Sequence, residues 1–573
     1  MQAEKVDKNP LVLVLFALLS YTRIFTIQDV YWDDNCWLFG IYLTDNLKDF
    51  LATGFFDARR EALGIFLYFF LLPHKLTDFA HPLWNSLLLT IQVAAPVVLY
   101  LLVKNLMRSE RLIAFLCGVS LVILPLDHTL PYLSGVNYRI GLLLSLLSFY
   151  LTERAFSQGK PSWAHLGGAF VVSAAAEYIF IEAVLALEPA RLMMMIHLHR
   201  RLGLSRAGEV KRAMLFWAPF LIACIPLVLM KLMWQPYGLY ATLYDSSFKF
   251  LLQGKEYLRI IDFLALSEWR MLIPYARYTQ AISVLLALAG AAFSFLYIGH
   301  QFSHVAQQPR TTQTTNPDNR VSFLLWLGGC IILFQFLLFG FVGRPAKLGS
   351  DSTHAALMAM GYALLSGALA GLLYHKIRES RSSHLTFRTL VATFVGLGIF
   401  YNNLNLEMFS YGTRFQNQFW QAFVQRFPGL PETADFLIDA EPLSRPHYYA
   451  TADLDNAYDL EFNLNLLYAR SSGPKLPRHY RVYPIEELLS DLQQVNGDFS
   501  RLVTIERPTH YGRDTLDPKN FIVVLYRNGE LLVNREILKK YPKILYRVWA
   551  DKDSPSLPPT GTYPLRYKTL APD

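Results

Sequence analysis

Charge is scarce in this chain: Asp, Glu, Lys and Arg make up 17% of its 573 residues, against 53% hydrophobic residues. A soluble globule of that size needs more polar surface, so lipid has to cover part of the chain. Cysteine is scarce too. Cys36, Cys117, Cys224 and Cys330 stand singly, three of them in apolar runs, with no CxxC spacing. That pattern excludes a cysteine-based zinc site and gives no expectation of a structural disulfide. No internal repeat is visible. A small-x-small cleavage site is also missing after the first apolar run, Leu11 to Thr26, which follows Lys5 and Lys8 and leads into Tyr31-Trp32-Asp33-Asp34. The run is read as an uncleaved first span, with Arg23 near its outer end. The formal net charge of +8 does not point to nucleic acid, because many basic residues sit in short gaps between apolar runs and are not gathered on one soluble face.

What is present is a series of apolar windows of helix-spanning length. They fall near 10–27, 82–103, 111–128, 133–152, 163–178, 179–196, 213–233, 274–298, 321–341, 353–375 and 387–403, about eleven spans in all. With the N-terminus cytoplasmic, alternate connections carry Lys104, Arg108 and Arg111; Arg154 and Lys160; Arg200, Arg201, Arg206, Lys211 and Arg212; Arg310 and Arg320; and Lys376, Arg378, Arg381 and Arg388. The opposite set is sparser in Lys and Arg, which fixes this orientation by the positive-inside rule. Leu63 to Leu72 is apolar but about half the length of a span, so it is assigned as an interfacial helix within an outer loop, 28–81. Segment 234–273, dense in Trp and Tyr, suits a second outer loop grazing the membrane. Gln307 to Arg320 reads as a flexible cytoplasmic linker.

Soon after Phe400 charges, prolines and turn residues return. The expectation is a transmembrane module, 1–403, followed by an extracytoplasmic α+β domain, 404–573. Phe436 to Ala440 and Arg481 to Ile485 read as strands, and Leu454 to Tyr468 as a helix. Phe521 to Tyr526 and Leu531 to Asn534 flank Asn528-Gly529, a two-residue hairpin signal.

Chemistry-bearing residues gather on the outer side. Asp33 and Asp34 form an adjacent acidic pair just after the first span, where carboxylates are costly unless solvated or paired. The plain reading is a helix N-cap or a solvated loop; the sharper one is a general base with a neighbour that orients it. Arg139 lies a turn or two into the fourth span, where an arginine faces the bundle interior or snorkels. Arg344 and Lys347 occupy the outer turn between the ninth and tenth spans, with His354 opening the next helix. Glu177 falls at the turn between the fifth and sixth spans, with Glu182 about one helical turn deeper, facing a polar cavity or an arginine such as Arg139. Asp127 and His128 read as a solvated turn. His197 and His199 belong to a basic cytoplasmic loop, with no acidic partner to make a metal site.

The order of features is an acidic pair after the first span, Arg59-Arg60-Glu61-Ala62-Leu63-Gly64, a short interfacial helix, Phe79-Ala80-His81-Pro82-Leu83-Trp84-Asn85, then Pro125-Leu126-Asp127-His128 and Pro131-Tyr132-Leu133-Ser134-Gly135. This order resembles polyprenyl-phosphate-sugar-dependent glycosyltransferases of the GT-C fold, closest to the protein O-mannosyltransferase group. The motif order covers roughly the first third of the chain, and the remainder is similar in architecture. Those families often show Arg-Pro-Leu-Gly where this chain has Arg60-Glu61-Ala62-Leu63-Gly64. The resemblance implies an inverting transfer of sugar from a lipid-phosphate carrier to an acceptor on the extracytoplasmic face of a plasma or inner membrane, in cell-envelope chemistry. Asp33 would then be the base and Asp34 its support, with Arg60, Arg139, Arg344 and Lys347 as candidates for the donor phosphate. Glu177, Glu182 and His354 would support the site. The donor, an acceptor of unassigned identity and membrane lipids would be the partners. A divalent cation on the phosphate is possible under this reading, without a protein metal site. The rival readings are a transporter, with Arg139 and Glu182 marking a path, and a non-catalytic membrane scaffold.

Overall fold

The computed structural model describes residues 7–27, 33–52, 55, 60–76, 80–107, 110–124, 126, 129–157, 161–200, 206–233, 276, 279–306, 317–341, 354–377, 381–430, 434–439, 457–468, 480–484, 505–509, 512–516, 521–527, 529–533 and 536. The chain is mostly helical. Among the described residues seven helices are long and apolar enough to cross a membrane: Asn9–Thr26, His81–Met107, Ala207–Met230, Ala281–Gln301, Arg320–Phe339, Met358–Lys376 and Ser383–Arg426. This is a helical membrane protein.

In chain order α1 (Asn9–Tyr21) opens with proline in its first turn, where no amide donor is lost to the helix, and continues as a 3-10 stretch, Thr22–Thr26. The segment that follows carries more helix than the single short element expected. It holds α2 (Asp33–Leu43), α3 (Leu47–Ala52) and α4 (Glu61–Leu76), and α4 extends the apolar stretch at both ends. The bundle then runs through α5 (Ala80–Met107), α6 (Arg111–Ile123), α7 (Val136–Phe156), α8 (Trp163–Ala175), α9 (Glu188–Arg200), α10 (Arg206–Met233), α11 (Ala281–Ala306), α12 (Pro317–Phe341), α13 (Met358–Ile377) and α14 (Arg381–Arg426).

Three differences from the sequence reading have local causes. The window 111–128 yields an α6 of 13 residues, about 20 Å, because the chain turns extended at Leu124. The hairpin expected of the windows 163–178 and 179–196 has α-helical arms of only 13 residues each. A π-helical turn, Ala176–Phe180, follows α8, the backbone is extended at Ile181, and a 3-10 stretch, Glu182–Leu187, leads into α9. The boundary drawn at 403 falls inside α14, whose 46 residues span about 70 Å against a hydrocarbon core of about 30 Å. The segment read as a linker ends at Pro317, which opens α12; its residues 307–316, and the aromatic segment 234–273, lie outside the described residues.

Polar contacts gather at the two ends of the helices. At one end Asp7 accepts from Tyr100 (2.6 Å) and Lys104 (2.7 Å), Asn105 donates to Glu153 (2.8 Å), Arg320 donates to the Met107 carbonyl (2.9 Å), and His375 lies 3.6 Å from Glu110. At the other, Arg23 pairs with Glu407 and donates to Ser283 and to Gln280, both at 2.7 Å. There Asn85 donates to the Ile24 and Ile27 carbonyls at 3.1 and 3.0 Å. Between them lies a large apolar core, crossed by a few buried polar groups such as Ser148, Thr152, Glu188 and Arg191. In lipid such side-chain pairs satisfy groups that water would otherwise serve.

Beyond Glu407, α14 continues until Phe419, Trp420 and Phe423 enter a second apolar core. That core is shared with β1 (Ala434–Asp439), α15 (Ala457–Tyr468), β2 (Tyr480–Pro484), β5 (Phe521–Arg527) and β6 (Glu530–Val533). The sheet order is β2-β1-β5-β6; β1 runs parallel to β2 and β5, and β5 and β6 form an antiparallel hairpin. Gly529 turns that hairpin at φ 81, a conformation that suits glycine. β3 (Ile505–Thr509) and β4 (Gly512–Leu516) pair separately. One face of α15 packs on the sheet. The other sets Phe462 and Leu466 against Phe39 of α2, with the Phe39 and Phe462 rings 5.3 Å apart.

Candidate functional site

The site is organised around the first turns of α7. The residues before it, Thr129 to Gly135, fold into consecutive tight turns, with Tyr132 N–H donating to the Thr129 carbonyl at 2.8 Å. Such a turn leaves backbone amides pointing away from it, and a buried carboxylate needs such donors. Asp34, in the first turn of α2, supplies the acceptor. Its carboxylate takes hydrogen bonds from Leu133 N–H (2.9 Å) and Ser134 N–H (2.6 Å), and the residue is 0% exposed. From the opposite side Arg139 donates to the Tyr132 carbonyl (3.2 Å) and to Thr129 Oγ1 (3.0 Å).

The tip of the α8–α9 hairpin closes on the same place. Asn137 donates to the Phe180 carbonyl at 3.3 Å. Gly141 faces Ile181 so closely that a Cβ at residue 141 would lie 2.6 Å from Ile181 Cγ2, so glycine is what lets α7 and the tip meet. Phe66 of α4 meets Phe180 edge-on at 5.0 Å. Just beyond, Arg60 and Glu182 form an ion pair at 3.4 Å, with side chains 27% and 19% exposed. His354 stacks on Phe339 at 4.8 Å and lies 5.7 Å from the ring of Tyr138.

The structure thus brings Asp34, Arg60, Arg139, Glu182 and His354 around one turn and the start of one helix. The ion pair found for Glu182 is with Arg60; the pairing considered from sequence was with Arg139, whose guanidinium reaches back to the Thr129–Tyr132 turn because α7 begins beneath it. Asp33 opens α2, and its side chain lies outside what is described. Arg344, Lys347, Asp127 and His128 lie outside the described residues.

Glu177 belongs elsewhere. The π turn directs it into the hairpin, where Ser173 Oγ lies 3.2 Å from its carboxylate and Cys224 Sγ 3.5 Å. Next to it is a pair that sequence reading missed: Arg191 Nε donates to both carboxylate oxygens of Glu188 at 2.9 Å, and both residues are buried. Arg191 also donates to Thr152 (2.9 Å) and Ser173 (3.0 Å), and its guanidinium lies over Phe149 and Phe220. An acid and an arginine three residues apart inside the apolar window 179–196 were the available signal.

His197 and His199 are likewise corrected. They lie in the last turns of α9, not in a loop; His197 stacks on Phe323 at 3.7 Å, and His199 packs against Phe156 and Phe216. At the rim, α4 clamps α2. Tyr42 Oη lies 2.9 Å from His74 Nδ1, and Lys75 donates to the Thr44 carbonyl at 3.2 Å, just past the C-terminus of α2, where a cation is favourable. Burial, with the neighbouring His81 adding to it, pushes the His74 imidazole down to about 3. Among the described residues no group of three His, Cys, Asp or Glu side chains could hold a metal ion. The chain matches no protein-family model, no curated protein and no solved structure.

Proposed function

We propose that the chain is a membrane glycosyltransferase of GT-C type, with eleven spans, a cytoplasmic N-terminus and its C-terminal sheet outside, taking sugar from a polyprenyl-phosphate donor. The observation that carries this reading is the meeting of the acidic-pair helix α2 with Arg139, the Arg60–Glu182 pair and His354 at one end of the bundle. Asp33 is the base. Its carboxylate takes the proton of the acceptor's nucleophilic group as that group bonds to the anomeric carbon and the bond from that carbon to the phosphate oxygen breaks, inverting the centre and releasing polyprenyl phosphate.

The remaining roles follow from this reading. Asp34 and Arg139 are positioning residues, since both are committed to the Thr129–Gly135 turn. Arg60 is the better candidate for the leaving phosphate, because it is partly exposed and its pairing with Glu182 is long enough to exchange for an incoming anion. Arg344 and Lys347 would add charge there, and Glu182 would hold Arg60 in place until donor arrives. His354 would line the same face, while Glu177 has no part in it.

The test is a transfer assay with the purified protein in lipid nanodiscs and a panel of polyprenyl-phosphate sugars, scored for labelled product and for its anomeric configuration. Transfer with inversion from one of the donors supports the reading. Transport of sugar across proteoliposomes without transfer would replace it with the transporter reading.

A further inference from the structure

The hairpin of α8 and α9 encloses two carboxylates and one arginine, all 2% exposed or less. Charge counting leaves one carboxylate over. Arg191 engages Glu188 through Nε and turns its remaining donors to Thr152 and Ser173, so Glu188 is the paired anion. Trp217 Nε1–H adds a further donor to Glu188 at 3.2 Å. Glu177 receives none of these.

Hydrogen counting agrees. Ser173 has one hydroxyl hydrogen, yet its Oγ lies 3.2 Å from Glu177 and 3.4 Å from Glu188. Cys224 has one thiol hydrogen, and its Sγ is nearer the Phe220 carbonyl (3.2 Å) than Glu177 (3.5 Å). Were Glu177 ionised, two carboxylates would compete for the serine hydrogen. Glu177 would then be a buried carboxylate with no cation of its own among the described residues, served only by a shared serine hydrogen and a long thiol contact. With a proton on Glu177 every group is served: the acid donates to Ser173, Ser173 donates to Glu188, and Ser173 also accepts from Arg191.

We infer that Glu177, Ser173, Glu188 and Arg191 form a proton-binding site inside the membrane bundle, with the proton resident on Glu177. Among the described residues the charged and titratable groups facing Glu177 are Glu188 and Arg191 from α9, Cys224 from α10 and its neighbour Tyr178 in the same turn, whose hydroxyl donates to the Ala223 carbonyl at 2.6 Å. The site joins three elements. Its proton ties the π turn back to Ser173 of α8, while Cys224 and the Tyr178 hydroxyl hold the turn on α10, and π turns are frequent at functional sites. The inference is independent of the transferase reading.

Infrared spectroscopy of the full-length protein in nanodiscs at neutral pH tests it. The expected result is a protonated-carboxyl C=O band that is present in the wild type, absent in Glu177→Gln and retained in Glu182→Gln. Because a glutamine amide mimics the neutral acid, Glu177→Gln should melt at the wild-type temperature, while Glu188→Gln should melt lower by leaving Arg191 uncompensated. Should Glu177→Gln fail to fold, Cys224→Ala serves: removing the thiol contact should shift the band in frequency without abolishing it. Identical carboxyl spectra in wild type and Glu177→Gln, or an unshifted band in Cys224→Ala, would overturn the inference.

Discussion

Asp34 and Arg139 hold the same short turn from two sides, the carboxylate on the amides of Leu133 and Ser134 and the guanidinium on the carbonyl of Tyr132. The acidic-pair helix and the fourth predicted span are thereby fixed to each other through backbone atoms. Asp34→Ala removes two charge-assisted bonds and strands one buried and one partly buried amide, a loss of about 3 kcal/mol. Asp34→Asn keeps one good acceptor and should lose about half as much. Thermal unfolding in detergent, followed by tryptophan fluorescence, gives the order wild type, Asp34→Asn, Asp34→Ala.

The Arg23–Glu407 pair makes a separate prediction. Both side chains are largely buried, so breaking the pair leaves an uncompensated charge, whereas removing both partners does not. Glu407→Ala is expected to cost about 3–5 kcal/mol, and Arg23→Met combined with Glu407→Leu to recover most of that. A double-mutant cycle measured by denaturant titration in mixed micelles reads the difference.

His74 gives the pH dependence. Its folded value, about 3, lies below the ordinary 6.5 of a free imidazole, so the unfolded chain binds the extra proton between those values. The stability that depends on a neutral His74 is complete above about pH 6.5 and is lost progressively as pH falls toward 3. Replacing His74 by Phe should flatten that part of the profile, measured as melting temperature against pH from 7.5 to 4.

The contact of Phe39 with Phe462 ties the C-terminal sheet to α2. Cys36 is partly buried against the same cluster. Phe462→Ala opens a cavity costing about 3 kcal/mol at that interface, and should speed modification of Cys36. A membrane-impermeant maleimide applied to intact cells should reach Cys36 in this variant from outside, with Cys117 and Cys224 remaining unmodified.

Much of this architecture was legible in composition and period. Scarce charge and long apolar windows pointed to a helical membrane protein, and Asn528-Gly529 marked the β5–β6 hairpin because its turn type demands those residues. The hidden features depend on tertiary packing. Nothing local says that the hairpin over 163–196 turns through π and 3-10 stretches broken at Ile181, since its composition is that of two ordinary spans. Nor does a helical period show where α14 leaves the lipid, because its apolar stripe continues from the bundle into the sheet's core. At the site, the acidic pair and Arg139 stood out as charges beside or within apolar runs. Their shared hold on a turn did not, because it is made to backbone amides and a carbonyl that carry no side-chain signature. Glu188 and Arg191 were hidden for a related reason: a complementary pair one helical turn apart reads as ordinary until its burial is known.

The central claim is that the acidic pair serves a transfer reaction with Asp33 as its base. The most direct measurement is the single-turnover rate of sugar transfer from a polyprenyl-phosphate donor, compared between wild type and Asp33→Asn at equal folded protein. The substitution should lower the rate by about 10²–10⁴-fold, the usual contribution of a general base, with donor binding and melting temperature little changed. Equal rates in the two proteins would contradict it.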